Sequence, residues 1–221
     1  MTSPLEEELL RAECPDARIH VLPTHYPPAA EVPAWEEREG LLFVGGFRHA
    51  PNRDAARWLV EEILPLVRRE LGPLPAWLIG EDPPVDAADP AAFTGPVDDL
   101  EPYLAPGPVS IAPLSWGAGL KGKVHESLAH GCRASRTPVA AEGFGAAAGR
   151  DLLVAEDAAG LAEAVVSVYL DGDRWRRISQ AGLSLVRERY GRERFRGAVA
   201  ALFDAPAVAA SSALRARKTS M

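Results

Sequence analysis

The chain has 221 residues, of which 47% are hydrophobic and 25% charged, a composition typical of a globular protein with a substantial core. Its formal net charge of -7 argues against a general nucleic-acid-binding protein, because neutralising a phosphate backbone requires a basic surface. No apolar run approaches transmembrane length, and the acidic start is unlike a signal peptide. The only two cysteines, Cys14 and Cys132, have no metal-type spacing. We therefore expect a cytoplasmic protein without a transmembrane segment.

The first 39 residues predict peripheral structure and not a core. Residues 3–12 predict a short acidic helix, with Pro4 at its first position, and residues 18–22 predict a strand. Prolines at positions 23, 27, 28 and 33 predict an exposed linker over residues 23–39.

From residue 40 onward, predicted strands alternate with predicted helices. Continuous apolar runs predict buried strands at residues 40–47, 76–80, 109–114 and 151–155. Helices are predicted at residues 52–71, 99–104, 158–170, 174–190 and 193–203. In the first of these, we expect Asn52 or Asp54 to cap the start and Pro65 to bend the helix. The order predicts an α/β fold with a Rossmann-like, mostly parallel sheet flanked by helices. Within it, residues 81–90 predict an acidic surface loop, and after it residues 205–221 predict a disordered tail.

The most informative stretch is residues 115–131, which follow the third predicted strand and lead into an amphipathic helix. The junction holds three glycines and two lysines, namely Gly117, Gly119, Gly122, Lys121 and Lys123. Backbone N–H groups, ammonium charges and the positive end of a helix converge there, which is typical of a phosphate site. Glu126 lies about one turn further along, within reach of a hydroxyl on the molecule that carries the phosphate. Because ligands bind beyond the carboxyl ends of parallel strands, the loop at residues 45–52 belongs to the same edge.

Seven short motifs follow one another in a fixed order. They are LFVGGF at residues 42–47, PNRDAA at 51–56, WLIG at 77–80, FTGPVDDL at 93–100, GAGLKGKVHESLA at 117–129, TPVAAEG at 137–143 and RDLLV at 150–154. A single glycine-rich loop would be weak evidence, but the order and spacing over roughly residues 41–190 are specific. They resemble the C-terminal, donor-binding half of a GT-B glycosyltransferase of family 4, also called glycosyl transferases group 1.

This resemblance implies a GT-B half-domain with C-terminal helices that takes a nucleotide-diphosphate sugar as donor substrate, without a further cofactor or a metal ion. In such enzymes the position of Glu126 accepts hydrogen bonds from the ribose hydroxyls. Lys121 and Lys123 would hold the diphosphate and stabilise the charge that develops as the glycosidic bond breaks. These three are the predicted catalytic residues. The predicted donor-binding residues are Gly46, Arg48, Gly117, Gly119, Gly122 and Glu142, with His49 as a further candidate beside Arg48.

The chain departs from the family pattern at two places. Ala118 stands where the pattern has the first glutamate of a Glu-x7-Glu motif, which affects the expected contacts to the transferred sugar. Residues 132–136 (Cys-Arg-Ala-Ser-Arg) stand where the pattern has a short apolar strand. Burying two arginines there without partners would cost several kcal/mol. A local reading-frame slip is one hypothesis for these five residues.

The resemblance also divides the chain. Residues 1–22 resemble the end of a preceding acceptor domain, 23–39 a linker, 40–204 the donor domain and 205–221 a tail. We therefore expect a truncated or split enzyme, partnered by a separate acceptor-binding domain or subunit. One alternative is a non-catalytic remnant or interaction module of GT-B origin, which Ala118 and residues 132–136 favour. The other is a dinucleotide-binding oxidoreductase domain, disfavoured because residues 45–48 do not complete Gly-x-Gly-x-x-Gly.

Overall fold

The computed structural model describes residues 4–82 and 93–204, so the predictions for the tail and for most of the acidic loop lie outside the described residues. The strands are β1 (Leu41–Val44), β2 (Ala76–Ile79), β3 (Phe93–Gly95), β4 (Val109–Ala112), β5 (Arg133–Arg136) and β6 (Leu153–Val154). They form one six-stranded sheet in the order β3-β2-β1-β4-β5-β6, with every neighbouring pair parallel. The predicted Rossmann-like α/β fold is confirmed.

Helices connect the strands and cover the sheet. They are α1 (Pro4–Glu13), α2 (Ala50–Trp58), α3 (Leu64–Leu71), α4 (Glu101–Leu104), α5 (Gly122–Ala129), α6 (Pro138–Ala141), α7 (Ala158–Leu170), α8 (Gly172–Tyr190) and α9 (Arg192–Asp204). The main core lies between the sheet and helices, where α3 packs on α7 and α5 packs on α8. No helix within residues 4–82 and 93–204 combines the length and apolar character needed to cross a membrane.

Four of the predicted strands form, but the sheet differs from the prediction at three places. The predicted strand at residues 18–22 does not form, and the chain there has no neighbouring strand in the described part of the molecule. The short edge strand β3 was not predicted from the residues, since three residues carry too little pattern. The last predicted strand, at 151–155, shortens to the two residues of β6.

The predicted helix at residues 52–71 forms, but with a different start and an interruption. A π-helical turn at Leu59–Ile63 separates α2 from α3, and Pro65 follows it at the second position of α3. Proline lacks an N–H group and its ring crowds the carbonyl four residues earlier, so a wider turn accommodates it. His49 precedes the first turn of α2 and makes no side-chain cap, so the expected cap by Asn52 or Asp54 is wrong.

The segment at residues 23–39, predicted as an exposed linker, has mostly exposed or half-buried side chains but is held against the domain by hydrogen bonds. The N–H group of Tyr26 donates to the carbonyl of Tyr190 over 3.2 Å, and that of Ala29 donates to the carbonyl of Ala129 over 2.7 Å. Arg187 Nη2 adds a 2.7 Å hydrogen bond to the carbonyl of Ala29. These contacts attach the segment, hereafter the strap (residues 23–39), to α5 and α8.

Strand β5 forms at the position of the arginine-rich departure from the family pattern. Both arginines are fully buried, at 0% exposure. Arg133 stacks 3.3 Å from the centroid of the Trp175 ring and donates to the carbonyl of Pro33 over 3.2 Å. Arg136 donates to Ser110 Oγ over 2.8 Å. Burial lowers the pKa of each guanidinium to about 9, and neither forms an ion pair with a carboxylate in the described chain.

Candidate functional site

A cavity of about 210 Å³ lies at the carboxyl edge of the sheet, beyond the neighbouring strands β1 and β4. It is lined by residues 49, 51 and 52 after β1, and by residues 114, 116–118 and 120–123 after β4. The two loops that the sequence placed at this edge therefore meet around one cavity. This is the edge at which parallel α/β sheets bind their ligands.

Lys121 lines the cavity but uses its ammonium group within its own loop. The residue is only 7% exposed, and its Nζ donates to the carbonyl of Gly119 over 2.6 Å and to that of Gly117 over 3.3 Å. Burial lowers the pKa of Lys121, and the nearby Glu142 carboxylate opposes that shift. Lys121 thus holds the glycine-rich loop in a closed turn while keeping positive charge at the rim of the cavity.

Lys123 reaches across the cavity to the other loop. Its Nζ donates a hydrogen bond to Asn52 Oδ1 and lies 4.7 Å from the centroid of the Phe43 ring. Burial, with the positive charges of Arg136 and Lys121 in the same direction, lowers the pKa of Lys123 to about 7. No carboxylate of the described residues forms an ion pair with this lysine. A half-buried amine of this kind favours an anionic ligand, which would supply the missing counter-charge.

Glu126 lies one turn beyond Gly122 on α5, half-buried and outside the lining of the cavity. The preceding residue, His125, is 1% exposed and is stacked between Tyr26 and Phe144, at centroid distances of 4.8 and 4.0 Å. Burial lowers the pKa of His125 to about 4, so the ring is neutral and belongs to the core. The Glu126 carboxylate acts electrostatically on Tyr26, which places it on the side of α5 that faces the strap.

The structure brings only some of the predicted site residues together. Those that line the cavity are Lys121, Lys123, Gly117, Gly122 and the further candidate His49. The carbonyl of Gly119 anchors Lys121, and that of Gly46 accepts a 2.9 Å hydrogen bond from Asn52 Nδ2. Arg48 does not line the cavity, because its side chain is 81% exposed and pairs with Asp82. Glu142 is exposed and reaches the site only through its electrostatic effect on Lys121.

Three residues of the site were missed from the sequence. Asn52 partners Lys123, although its position after Pro51 favoured the interpretation as a helix cap. Gly45, and not Gly46, is the glycine packed against this pair, and the sequence offers no means of choosing between two adjacent glycines. Tyr26 approaches from the strap, roughly a hundred residues away in sequence, and no local pattern signals it.

Gly45→Ala should lower the free energy of unfolding by about 1–3 kcal/mol, whereas Gly46→Ala should change it by less than about 1 kcal/mol. A Cβ at position 45 would lie 2.9 Å from Asn52 Cγ and 3.0 Å from Lys123 Nζ, while one at position 46 would meet nothing within 4 Å. Neither glycine has a positive φ, so the two variants differ in packing alone. Urea denaturation of both variants measures the difference. Equal stabilities would contradict the close packing of Gly45 on the pair.

The six-stranded parallel sheet and the glycine- and lysine-rich loop that leads into α5 define a Rossmann-like domain of the GT-B glycosyltransferase type. The chain belongs to the family Glycosyl transferases group 1, whose sequence profile matches residues 38–171, more than half of the chain. The resemblance drawn from the seven motifs is thereby confirmed. No curated protein sequence matches the chain.

Solved structures share the fold at low sequence identity. Sucrose-phosphate synthase from Thermosynechococcus elongatus is 20% identical, with a TM-score of 0.65, over 92% of this chain and 56% of that one. The pneumococcal O-GlcNAc transferase GtfA, in complex with UDP and GlcNAc, is 13% identical, with a TM-score of 0.65, over 92% and 45%. The C-terminal domain of a glycosyl transferase group 1 family protein from Francisella tularensis is 15% identical, with a TM-score of 0.57, over 75% and 95%. The chain thus spans about half the length of the first two.

Proposed function

We propose that this chain is the donor domain of a glycosyltransferase and binds a nucleotide-diphosphate sugar in the cavity between the loops after β1 and β4. The observation that carries the proposal is Lys123, a half-buried amine in that cavity that bonds an amide and forms no ion pair with a carboxylate among the described residues. Membership of the glycosyl transferases group 1 family supports it. So do the UDP and sugar bound in the pneumococcal O-GlcNAc transferase, which shares the fold.

In the proposed reaction, the bond between the sugar anomeric carbon and the diphosphate oxygen breaks, and negative charge builds up on the departing nucleoside diphosphate. Lys123 stabilises that charge directly, and Lys121 adds positive charge while holding the loop that supplies N–H groups at the start of α5. Glu126 binds the ribose hydroxyls at the flank of the site. The resemblance to family 4 favours retention of configuration at the anomeric carbon.

Transfer also needs an acceptor, and we propose that a separate acceptor-binding domain or subunit provides its site. The half-length coverage of the GT-B structures supports this part of the proposal. A cytoplasmic location fits two free cysteines, Cys14 exposed and Cys132 buried, because thiols persist in a reducing compartment. The alternative of a non-catalytic remnant is favoured by Ala118 and by the arginines of β5.

Calorimetric titration with uridine, guanosine and adenosine diphosphates should detect binding of at least one of them. Lys123→Ala and Glu126→Ala should each weaken that binding at least about tenfold, since each removes a charge-assisted contact. Arg69→Met, which removes an exposed positive charge on α3, is the matched control and should leave the affinity unchanged. If none of the three diphosphates binds, the alternative of a non-catalytic remnant is favoured. If a nicotinamide dinucleotide binds more tightly than the diphosphates, the oxidoreductase alternative is favoured.

A further inference from the structure

The strap carries one aromatic side chain into the flank of the proposed donor site. The Tyr26 ring lies parallel to the buried His125 ring, with the centroids 4.8 Å apart and an interplanar angle of 3°. The backbone of Tyr26 is fixed by its hydrogen bond to the carbonyl of Tyr190. The ring contact and the backbone hydrogen bond together give the phenol a defined position on α5. The phenol has no role in the proposed reaction as described above.

The Tyr26 hydroxyl lies against the first turn of α5. A Cβ built on Gly122 would lie 3.1 Å from Tyr26 Oη, so the hydroxyl sits directly over the first residue of α5. Gly122 and Glu126 are four residues apart and therefore share one face of the helix. Burial, with the Glu126 charge in the same direction, raises the pKa of Tyr26, and a side-chain hydrogen bond with Thr24 opposes that shift. The phenol therefore stays protonated and keeps its proton to donate.

We propose that Tyr26 is a positioning residue for Glu126 when a nucleoside diphosphate is bound. Its hydroxyl donates one hydrogen bond to the Glu126 carboxylate, which leaves the remaining lone pairs free to accept from the two ribose hydroxyls. A long carboxylate side chain that is held in one orientation loses less rotamer freedom on binding. This inference rests on the proposed function, and it makes the strap part of the donor site.

The same geometry accounts for glycine at position 122. Any side chain at position 122 would crowd the phenol of Tyr26. Glycine at this position therefore allows Tyr26 to pack on α5, and it also allows a phosphate to approach the backbone. The strap is held by contacts independent of the hydroxyl, including the hydrogen bonds from Ala29 to Ala129 and from Arg187 to Ala29. Removing the hydroxyl alone should therefore leave the strap in place.

Tyr26→Phe, which keeps the stacked ring and loses only the hydroxyl, tests the inference in the full chain. It should weaken the binding of UDP, or of whichever of GDP and ADP binds more tightly, about tenfold, with the melting temperature unchanged. The corresponding 2′,3′-dideoxynucleoside diphosphate lacks both ribose hydroxyls, so wild type and Tyr26→Phe should bind it within about twofold of each other. Tyr103→Phe, a tyrosine packed on Trp77 away from α5, is the matched control.

In the Glu126→Gln background, the further loss caused by Tyr26→Phe should shrink to about twofold or less, because the partner carboxylate is gone. An unchanged affinity for the ribonucleotide in Tyr26→Phe would overturn the inference. An equal loss for the ribonucleotide and the dideoxy analogue would overturn it too, since the hydroxyl would then act elsewhere than at the ribose. Failure of the wild-type chain to bind any diphosphate would instead overturn the proposed function, and this inference with it.

Discussion

Replacing Arg136 with methionine should raise the free energy of unfolding at pH 7 by about 2–4 kcal/mol. The reason is that a buried charge, which forms no ion pair with a carboxylate in the described part of the chain, is exchanged for apolar atoms of similar volume. The guanidinium is fully buried, and its Nε has no hydrogen-bond partner among the described residues. Its other two nitrogens donate to Ser110 Oγ and to the carbonyl of Ser135. Ser110 keeps its 2.7 Å hydrogen bond to Ser127 Oγ when the arginine is removed.

The pH dependence of stability should change in the same variant. Burial lowers the pKa of Arg136 in the folded protein to about 9, so the group is charged at pH 7 and the fold bears the cost of its desolvation. Between pH 9 and the higher pKa of the unfolded chain, the unfolded state binds more protons, so stability rises with pH there. Arg136→Met should lose this contribution to the rise.

Thermal and urea denaturation measure the effect, and Arg133→Met is the matched control from the same strand. Arg133 stacks on Trp175 and donates to the carbonyls of Pro33 and Trp175, which would lose their donor. Its replacement should therefore stabilise the protein less than that of Arg136, or destabilise it. A lower free energy of unfolding for Arg136→Met would contradict the argument and show that its hydrogen bonds outweigh its desolvation.

The sheet was predictable from the sequence where burial on both faces leaves a continuous apolar run. Strands β1, β2 and β4 are such runs, and the hydrophobic pattern alone located them. Strand β5 carries the opposite signal, because its two arginines are polar in every hydrophobicity pattern. Its place followed only from the family resemblance. The two arginines are buried against Trp175 and Ser110, which lie on other elements. These contacts exist only in the folded chain, so the sequence pattern does not indicate them.

The site was predictable where its functional residues are neighbours in the sequence. It was not predictable where it depends on contacts between side chains that are distant in the sequence. The lysines and glycines of the loop after β4 are adjacent in the sequence and were predicted as site residues, and four of them line the cavity. The partner of Arg48 is Asp82, on another loop, so a guanidinium expected at the site lies elsewhere. Asn52 and Tyr26 entered the site through contacts at separations of 71 and roughly a hundred residues, for which local periodicity carries no information.

The affinity for UDP should fall about tenfold for each pH unit between pH 7.5 and 9, with close to one proton taken up on binding at pH 8. Burial, with help from Arg136 and Lys121, lowers the pKa of Lys123 to about 7, so this amine is mostly neutral above that pH in the free protein. A diphosphate that contacts the amine favours its charged form, so binding must add the proton. A terminal phosphate with a pKa near 6 is already ionised and adds no slope in this range.

Lys123→Met should abolish both the pH slope and the proton uptake, and it should weaken binding at pH 7 at least about thirtyfold. Calorimetry in two buffers of different ionisation enthalpy measures the uptake, and titrations at four pH values measure the slope. Lys121→Met is the matched control, because its ammonium contacts loop carbonyls. Its loss should weaken binding and keep the slope, with an onset at a higher pH because one of the charges that lower the pKa of Lys123 is gone. A slope that persists in Lys123→Met would assign the titration to another group and remove Lys123 from the diphosphate contact.

Because the amine has no carboxylate partner in the described chain, the methionine variant should also unfold at a higher urea concentration than wild type at pH 6, where the buried lysine is charged.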